Sequence, residues 1–197
     1  MTEPWQLEDI GFLCHFRDPD NYSLELLQHT FAPPAGAGPQ PAADGEALWE
    51  RWHLGQISIR SSCARRLLSF YRRLGMTHLA SMKVQRSRFD IHFMAFAGDA
   101  SIPDDDVYAA TNREWMYRQG FTQIEIRDDW SPVAPGTYAC DARRNWAGIT
   151  IAVPDLDAVL QRLSKADEEP SIADGHRTVL LHDPDGFPVR LAQTLAR

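Results

Sequence analysis

Apolar and polar residues alternate in several short segments of the chain, and the first clear one covers residues 53–60. Alternation of this kind predicts a β-strand with one buried face and one face open to polar contacts. Gln56, Ser58 and Arg60 fall on the same face of this strand. They are the first candidate functional side chains.

A helix is predicted after this strand, because the apolar spacing lengthens to that of an α-helix. Ser62 is the expected N-cap, and Gly75 is placed to end the helix. Its apolar stripe consists of Leu67, Phe70, Tyr71 and Leu74.

Three further strands are predicted over 77–84, 89–97 and 121–127, with a polar insertion at 98–119. Glu125 in the last of these strands shares a face with Gln123. The order of strand, helix and three strands defines a βαβββ unit.

The same order begins again in the second half of the chain, which indicates an internal duplication. Residues 147–153 alternate as a strand does, and Pro154-Asp155 marks the start of a helix. Strands at 178–181 and 187–191 follow. We therefore predict an α+β fold built from two tandem βαβββ modules.

The N-terminus carries a second internal similarity, since Asp18-Pro19-Asp20-Asn21 aligns without gaps with Asp183-Pro184-Asp185-Gly186. Proline fixes one φ angle and Asn or Gly tolerates a positive one, so both sequences predict a hairpin turn. The aspartates then have a structural rather than a catalytic role. The N-terminal piece is predicted to be an extra β-hairpin, equivalent to the end of a third module that lacks its first strand and helix.

Proline, glycine and alanine dominate residues 32–47, which is typical of a linker. The predicted organisation is an N-terminal hairpin at 1–31, a linker at 32–52, a first module at 53–130 and a second module at 146–197.

The charge balance narrows the class of partner. Of 197 residues, 27 are acidic and 20 basic, which gives a net charge of −7 and disfavours nucleic acid or an anionic membrane. No segment approaches the roughly 20 apolar residues that span a bilayer. The cysteines are far apart and form no Cys-x-x-Cys pair, which favours a reducing, cytoplasmic location. A small molecule is the expected partner.

Several short motifs together resemble the vicinal oxygen chelate superfamily, and within it glyoxalase I, over residues 54–191. The residues that carry this resemblance are Leu54-Gly55-Gln56, Ser69-Phe70-Tyr71, Leu74-Gly75-Met76, Phe93-Met94-Ala95-Phe96, Gln123-Ile124-Glu125-Ile126, the segment 148–155 and Asp183-Pro184-Asp185-Gly186.

The resemblance implies a cupped mixed sheet whose modules supply metal ligands from their first and last strands. It places metal ligands at Gln56 and Glu125, an arginine for an anionic substrate group at Arg60, and an aromatic substrate contact at Trp130. Asp129 stands where the family has a different polar residue that helps to hold glutathione, so the sequence departs from the family at this position and the thiol of the adduct stays open.

The second module departs from the family pattern, because its two ligand positions fall on Gly148 and Arg190. A metal held only by Gln56 and Glu125 has too few donors for a divalent cation. Glu25 occupies the same register in the N-terminal hairpin as Arg190 does in the second module. Glu25 is therefore predicted to be the third metal ligand, delivered across the linker or by a partner chain.

Two functions follow as hypotheses. The first is a glyoxalase I-like lyase or isomerase that uses nickel, zinc, manganese or iron and acts on a small carbonyl compound or its thiol adduct, a glutathione adduct included. In it, Glu125 and Glu25 move a proton to and from an enediolate, and Arg190 serves as a further anion receptor. The alternative is a metal-free binding or resistance protein in which Arg190 takes the metal's place beside Glu125, because a buried carboxylate needs a cation. The incomplete set of modules favours a homodimer.

Overall fold

A computed structural model of the protein describes residues 2–7, 10–29, 53–134, 137–138, 148–165, 171–173 and 175–194. This part of the chain forms two four-stranded sheets, one three-stranded sheet and three α-helices, as an α+β fold. The predicted linker at 32–52 lies outside the described residues. None of the described helices combines the length and apolarity needed to cross a bilayer.

The N-terminal sheet is an antiparallel meander of β1 (Trp5–Leu7), β2 (Gly11–Arg17) and β3 (Ser23–Leu27). The predicted hairpin is the β2–β3 pair, and β1 adds a strand that the sequence did not reveal. In the turn between β2 and β3, Asp18 accepts a hydrogen bond of 2.8 Å from the Tyr22 backbone N–H. Asn21 takes the positive φ, 69°, that the turn chemistry requires.

The second sheet contains β4 (Gln56–Ser61), β5 (Thr77–Val84), β6 (Phe89–Ala95) and β7 (Gln123–Asp129) in the spatial order β4-β7-β6-β5. Strands β4 and β7 are parallel, and the other pairs are antiparallel. Helix α1 (Ala64–Leu74) connects β4 to β5, and helix α2 (Ala110–Met116) lies between β6 and β7. This is the predicted first βαβββ unit.

The start of α1 differs from the prediction. Cys63 rather than Ser62 is the N-cap residue, and its side chain makes no capping hydrogen bond. The Ser62 hydroxyl is engaged elsewhere, by the Asp185 carboxylate. At the other end, Gly75 terminates the helix as predicted, with a φ of 106° that favours glycine.

The third sheet repeats the second. Its strands β8 (Ile149–Val153), β9 (Ser171–Ala173), β10 (His176–His182) and β11 (Pro188–Gln193) have the order β8-β11-β10-β9, with β8 and β11 parallel. Helix α3 (Leu156–Arg162) follows β8 and is capped by the Asp155 carboxylate, which accepts from the Ala158 N–H. The internal duplication is therefore confirmed in the fold.

Two hydrophobic cores hold the sheets together. The first core combines the apolar faces of α1 and α3 with one face of β4, β7, β8, β10 and β11. The second core packs Ile10 and Leu13 of the N-terminal region against β5, β6 and α2. The N-terminal sheet thus lies over the face of the second sheet that points away from α1, where Gln56, Arg60 and Glu125 are found.

The turn after β10 joins the two modules. Asp185 is 5% exposed and accepts hydrogen bonds from the Ser61 hydroxyl at 2.7 Å and from both the backbone and the hydroxyl of Ser62. Asp183 accepts from the Tyr71 hydroxyl at 3.3 Å and from the Asp185 backbone at 2.9 Å. These contacts assign a structural role to both aspartates.

Candidate functional site

The candidate site begins at the parallel pair β4–β7. Glu125 lies between Ile124 and Ile126, which belong to the first core, so its side chain projects from the opposite face of the sheet. Ser58 is its direct neighbour in the parallel register. Gln56 lies on the same face of β4 as Ser58. The alternation of the two strands therefore places the side chains of Gln56, Ser58 and Glu125 on the same face of the sheet.

Glu25 of the N-terminal sheet completes this group within the same chain. The Gln56 amide nitrogen, Nε2, lies 2.7 Å from Glu125 Oε2 and 3.4 Å from Glu25 Oε1. One amide thus bridges two carboxylates that are 100 positions apart in sequence (125 − 25). We call Gln56, Glu25 and Glu125 the carboxylate cluster. The structure brings all three predicted ligands together.

The electrostatics of the carboxylate cluster are unfavourable for two negative charges. Burial and, to a smaller extent, the nearby Glu25 charge raise the pKa of Glu125, whereas hydrogen bonds from Ser58 and Gln56 and the charge of Arg127 lower it, and the net pKa is about 7. Burial likewise raises the pKa of Glu25 to about 7, although 28% of its side chain remains exposed. Each group is therefore close to its midpoint at neutral pH, where a proton is exchanged most readily.

His15 was missed in the sequence. It is the cross-strand partner of Glu25 in the β2–β3 register, and its Nε2 lies 3.0 Å from Glu25 Oε2. A signal for it does exist, because a hairpin that turns at 18–22 places residue 15 opposite residue 25.

A second polar group lies further along the same face. Arg60 and Arg127 are register partners on β4 and β7. Arg127 donates to Asp129 at 2.7 and 2.9 Å, and Tyr138 donates to the same carboxylate at 2.8 Å. Although burial works in the other direction, these hydrogen bonds lower the pKa of Asp129. Arg127 is thereby paired, whereas Arg60 is exposed and lies over the Tyr138 ring, 5.7 Å from its centroid.

Trp130 follows directly after β7 and is 39% exposed. Its indole N–H donates to Asp90 at 2.8 Å, and the Arg88 guanidinium lies 5.9 Å from its ring centroid. The predicted aromatic contact is therefore a fixed, accessible ring at the end of β7.

Arg190 is not brought to the carboxylate cluster. It lies on β11 in the third sheet, between the core residues Val189 and Leu191, and no ion pair joins it to Glu125 in the part of the chain that the structure describes. The geometry therefore does not support Arg190 as a substitute for a metal beside Glu125.

Gly148 has a physical reason to differ from the family. Its φ is +90°, and a Cβ at this position would collide with the Pro188 carbonyl. A histidine there would require a rebuilt backbone. Both family ligand positions of the second module are thus without a ligating side chain.

The donor chemistry of the carboxylate cluster fits a divalent cation. Carboxylate and amide oxygens are ordinary ligands for such ions. A bound cation would stabilise the ionised form of both carboxylates, whose pKa values burial raises. In the structure the Gln56 amide directs its nitrogen at both carboxylates, so the amide would have to turn over before its oxygen could bind a cation. Within the described ranges, no group of three His, Cys, Asp or Glu side chains is arranged to hold a metal ion.

Comparison with known proteins supports the fold. No protein-family profile matches the sequence, and no curated protein matches it either. Among solved structures, the trypanothione-dependent glyoxalase I of Leishmania major aligns with a TM-score of 0.50 and 18% identity, over 72% of this chain and 86% of that chain.

Glyoxalase I from Zea mays aligns with a TM-score of 0.53 and 20% identity, over 93% of this chain and 54% of that chain. The present chain thus spans about half the length of the maize enzyme. At these identities the similarity establishes the fold. The predicted resemblance to the fold of glyoxalase I is confirmed.

Proposed function

We propose, on the premise of a glyoxalase-type fold, that this protein is a metal-dependent lyase or isomerase acting on a small carbonyl compound or its thiol adduct. The observation that supports this most is the carboxylate cluster, in which Glu25 and Glu125 from two different sheets meet at one amide. Neighbouring carboxylates with a raised pKa are typical of functional sites.

Gln56, Glu125 and Glu25 would hold the metal ion. When bound, a divalent ion would stabilise negative charge on two adjacent oxygens of the substrate. Nickel, zinc, manganese and iron are all compatible with this donor set.

The proton chemistry is assigned to the two glutamates. One carboxylate removes the carbon-bound proton next to the carbonyl group, which leaves an enediolate, and the proton returns to the neighbouring carbon. Without metal, the pKa of each glutamate is about 7. A bound cation would lower these pKa values, so that the carboxylate is ionised and able to accept the proton at neutral pH.

Arg60 and Trp130 are proposed to bind the rest of the substrate. Arg60 is not neutralised by a hydrogen-bonded carboxylate in the described part of the chain, unlike Arg127, and is suited to an anionic group. Arg190, in a different sheet, is not part of this proposal.

The test is an isomerisation assay. The metal-loaded protein is incubated in D₂O with a panel of α-ketoaldehydes and α-hydroxyketones, with and without added thiols, and deuterium at the α-carbon is followed by NMR. Exchange by wild type and its loss, by about 100-fold or more, in Glu125→Gln is the expected result. Wild-type exchange no faster than in the protein-free control, for every compound in the panel, would contradict the proposed activity.

A further inference from the structure

Glu25 stands on a strand that gives it little support of its own. Its neighbours on β3, Leu24 and Leu26, are each 41% exposed. A long side chain on such a strand loses rotamer entropy if it is to keep one conformation. Repulsion from Glu125 also favours a conformation that turns the carboxylate outward. Something else must direct Glu25 toward the cluster.

The two oxygens of Glu25 have different partners. Oε2 lies 3.0 Å from the Nε2 of His15, and Oε1 faces the Gln56 amide at 3.4 Å. The shorter contact is the one to His15. We infer that His15 is a positioning residue, which holds one oxygen of Glu25 so that the other is presented to Gln56 and Glu125. This inference rests on the proposed function of the carboxylate cluster.

His15 is itself held on several sides. Its backbone is in register with Glu25 across β2 and β3, and its N–H donates to the Thr2 hydroxyl at 2.9 Å. The indole of Trp5 packs beside the imidazole, with ring centroids 5.6 Å apart. The backbone of His15 is thus held in place, and the imidazole, 38% of whose side chain is exposed, packs against Trp5 while it contacts Glu25. Outer partners orient metal ligands through contacts of this kind.

The test measures metal affinity rather than turnover. Zn²⁺ and Ni²⁺ affinities are determined by competition with a chromophoric chelator for wild type, His15→Ala, His15→Gln and Glu25→Gln. Loss of the partner is expected to weaken binding by about 10-fold to 100-fold. His15→Gln, whose amide N–H replaces the imidazole N–H, should recover most of this loss. His182→Ala, which removes an exposed histidine of β10, should bind as wild type.

A double variant shows whether His15 acts through Glu25. If it does, His15→Ala has no further effect in the Glu25→Gln background, because the group that it orients is already changed. The inference would be overturned if His15→Ala weakened metal binding as much in the Glu25→Gln background as it does in wild type. Wild-type metal affinity in the single variant His15→Ala would also overturn it. Should His15→Ala fail to fold, His15→Phe keeps the ring beside Trp5 without a nitrogen and is expected to lose the same affinity.

The same affinity measurements distinguish failure of the proposed function from failure of the role of His15. If the proposed function fails, wild type itself binds neither metal, before any change at His15 is made. If wild type binds metal and His15→Ala binds it equally well, the proposed function stands and only the role of His15 is rejected.

Discussion

Replacing Asp185 with alanine should weaken the contact between the two βαβββ units and destabilise the protein. Asp185 is 5% exposed and Ser61 is fully buried, so the hydrogen bond of 2.7 Å between them is shielded from water. Two further donors, the N–H and hydroxyl of Ser62, end on the same carboxylate. The substitution removes all three contacts and leaves the buried Ser61 hydroxyl without its acceptor.

The expected cost can be worked from these contacts. A hydrogen bond to a charged group contributes about 1.5–3 kcal/mol, and contacts within one network are not additive. A loss of about 3 kcal/mol in the free energy of unfolding follows for Asp185→Ala. For a chain of this size the melting temperature should fall by roughly 6–12 °C.

The assay is urea unfolding followed by tryptophan fluorescence, with Asp20→Ala as the matched control. Asp20 holds the same position in the homologous turn after β2, but it is exposed, so its loss should cost less than about 0.5 kcal/mol. Equal destabilisation by the two substitutions, or a cost below about 1 kcal/mol for Asp185→Ala, would refute the structural role of this turn.

Three further predictions concern charge and backbone. In metal-free protein at pH 8, Glu125→Gln should raise the free energy of unfolding by about 1–2 kcal/mol. The reason is that folded wild type must keep Glu125 ionised at pH 8, although its pKa is raised to about 7. At pH 4 the carboxylate is protonated, and urea titrations of the two proteins should show little difference. Burial, and to a smaller extent the nearby His92, lowers the pKa of His78 to about 4. The neutral imidazole therefore contributes to the free energy of unfolding above pH 6.5, and this contribution is lost as the pH falls from 6.5 toward 4. Over that interval the free energy of unfolding of wild type should fall by about 1–2 kcal/mol more than that of His78→Asn. Gly148→Ala should lower the melting temperature, because φ is +90° there and alanine is strained in that region; an unchanged melting temperature in a calorimetric scan would contradict this.

The topology could be predicted because period-two alternation and the turn motifs act locally. The strand Thr77–Val84 has the predicted bounds, and the similarity of the two Asp-Pro-Asp turns placed Glu25 in the correct register. Local signals of this kind depend only on neighbours in sequence.

The features that the sequence did not predict depend on contacts between distant segments of the chain. Helix α2 was hidden in the polar insertion because its buried face includes Asn112 and Arg113, whose polar groups are satisfied by backbone atoms of Asp104 and Ser81. Ser62 has the residue type of an N-cap, yet its hydroxyl contacts Asp185, far away in sequence. The sequence pattern cannot rank such tertiary contacts against local ones.

The partner of Glu25 illustrates the same limit at the site. The position of Glu25 on its strand could be predicted from the sequence. The sequence could not show whether Glu25 reaches Gln56 within the same chain or from a second chain. The N-terminal sheet packs on β5 and β6 through the second core, which is a tertiary arrangement, and this places Glu25 beside Gln56 of the same chain.

The central claim is that Gln56, Glu125 and Glu25 hold a metal ion, and the metal content of the purified protein tests it most directly. Protein prepared without chelators, and again after reconstitution with nickel, zinc, manganese or iron, is analysed by inductively coupled plasma mass spectrometry. Wild type should carry about one divalent ion per chain, Glu25→Gln should lose most of it, and Glu114→Gln, which changes a carboxylate on α2 outside the cluster, should retain it. Wild type without bound metal under every condition, or Glu25→Gln with wild-type metal content, would contradict the account.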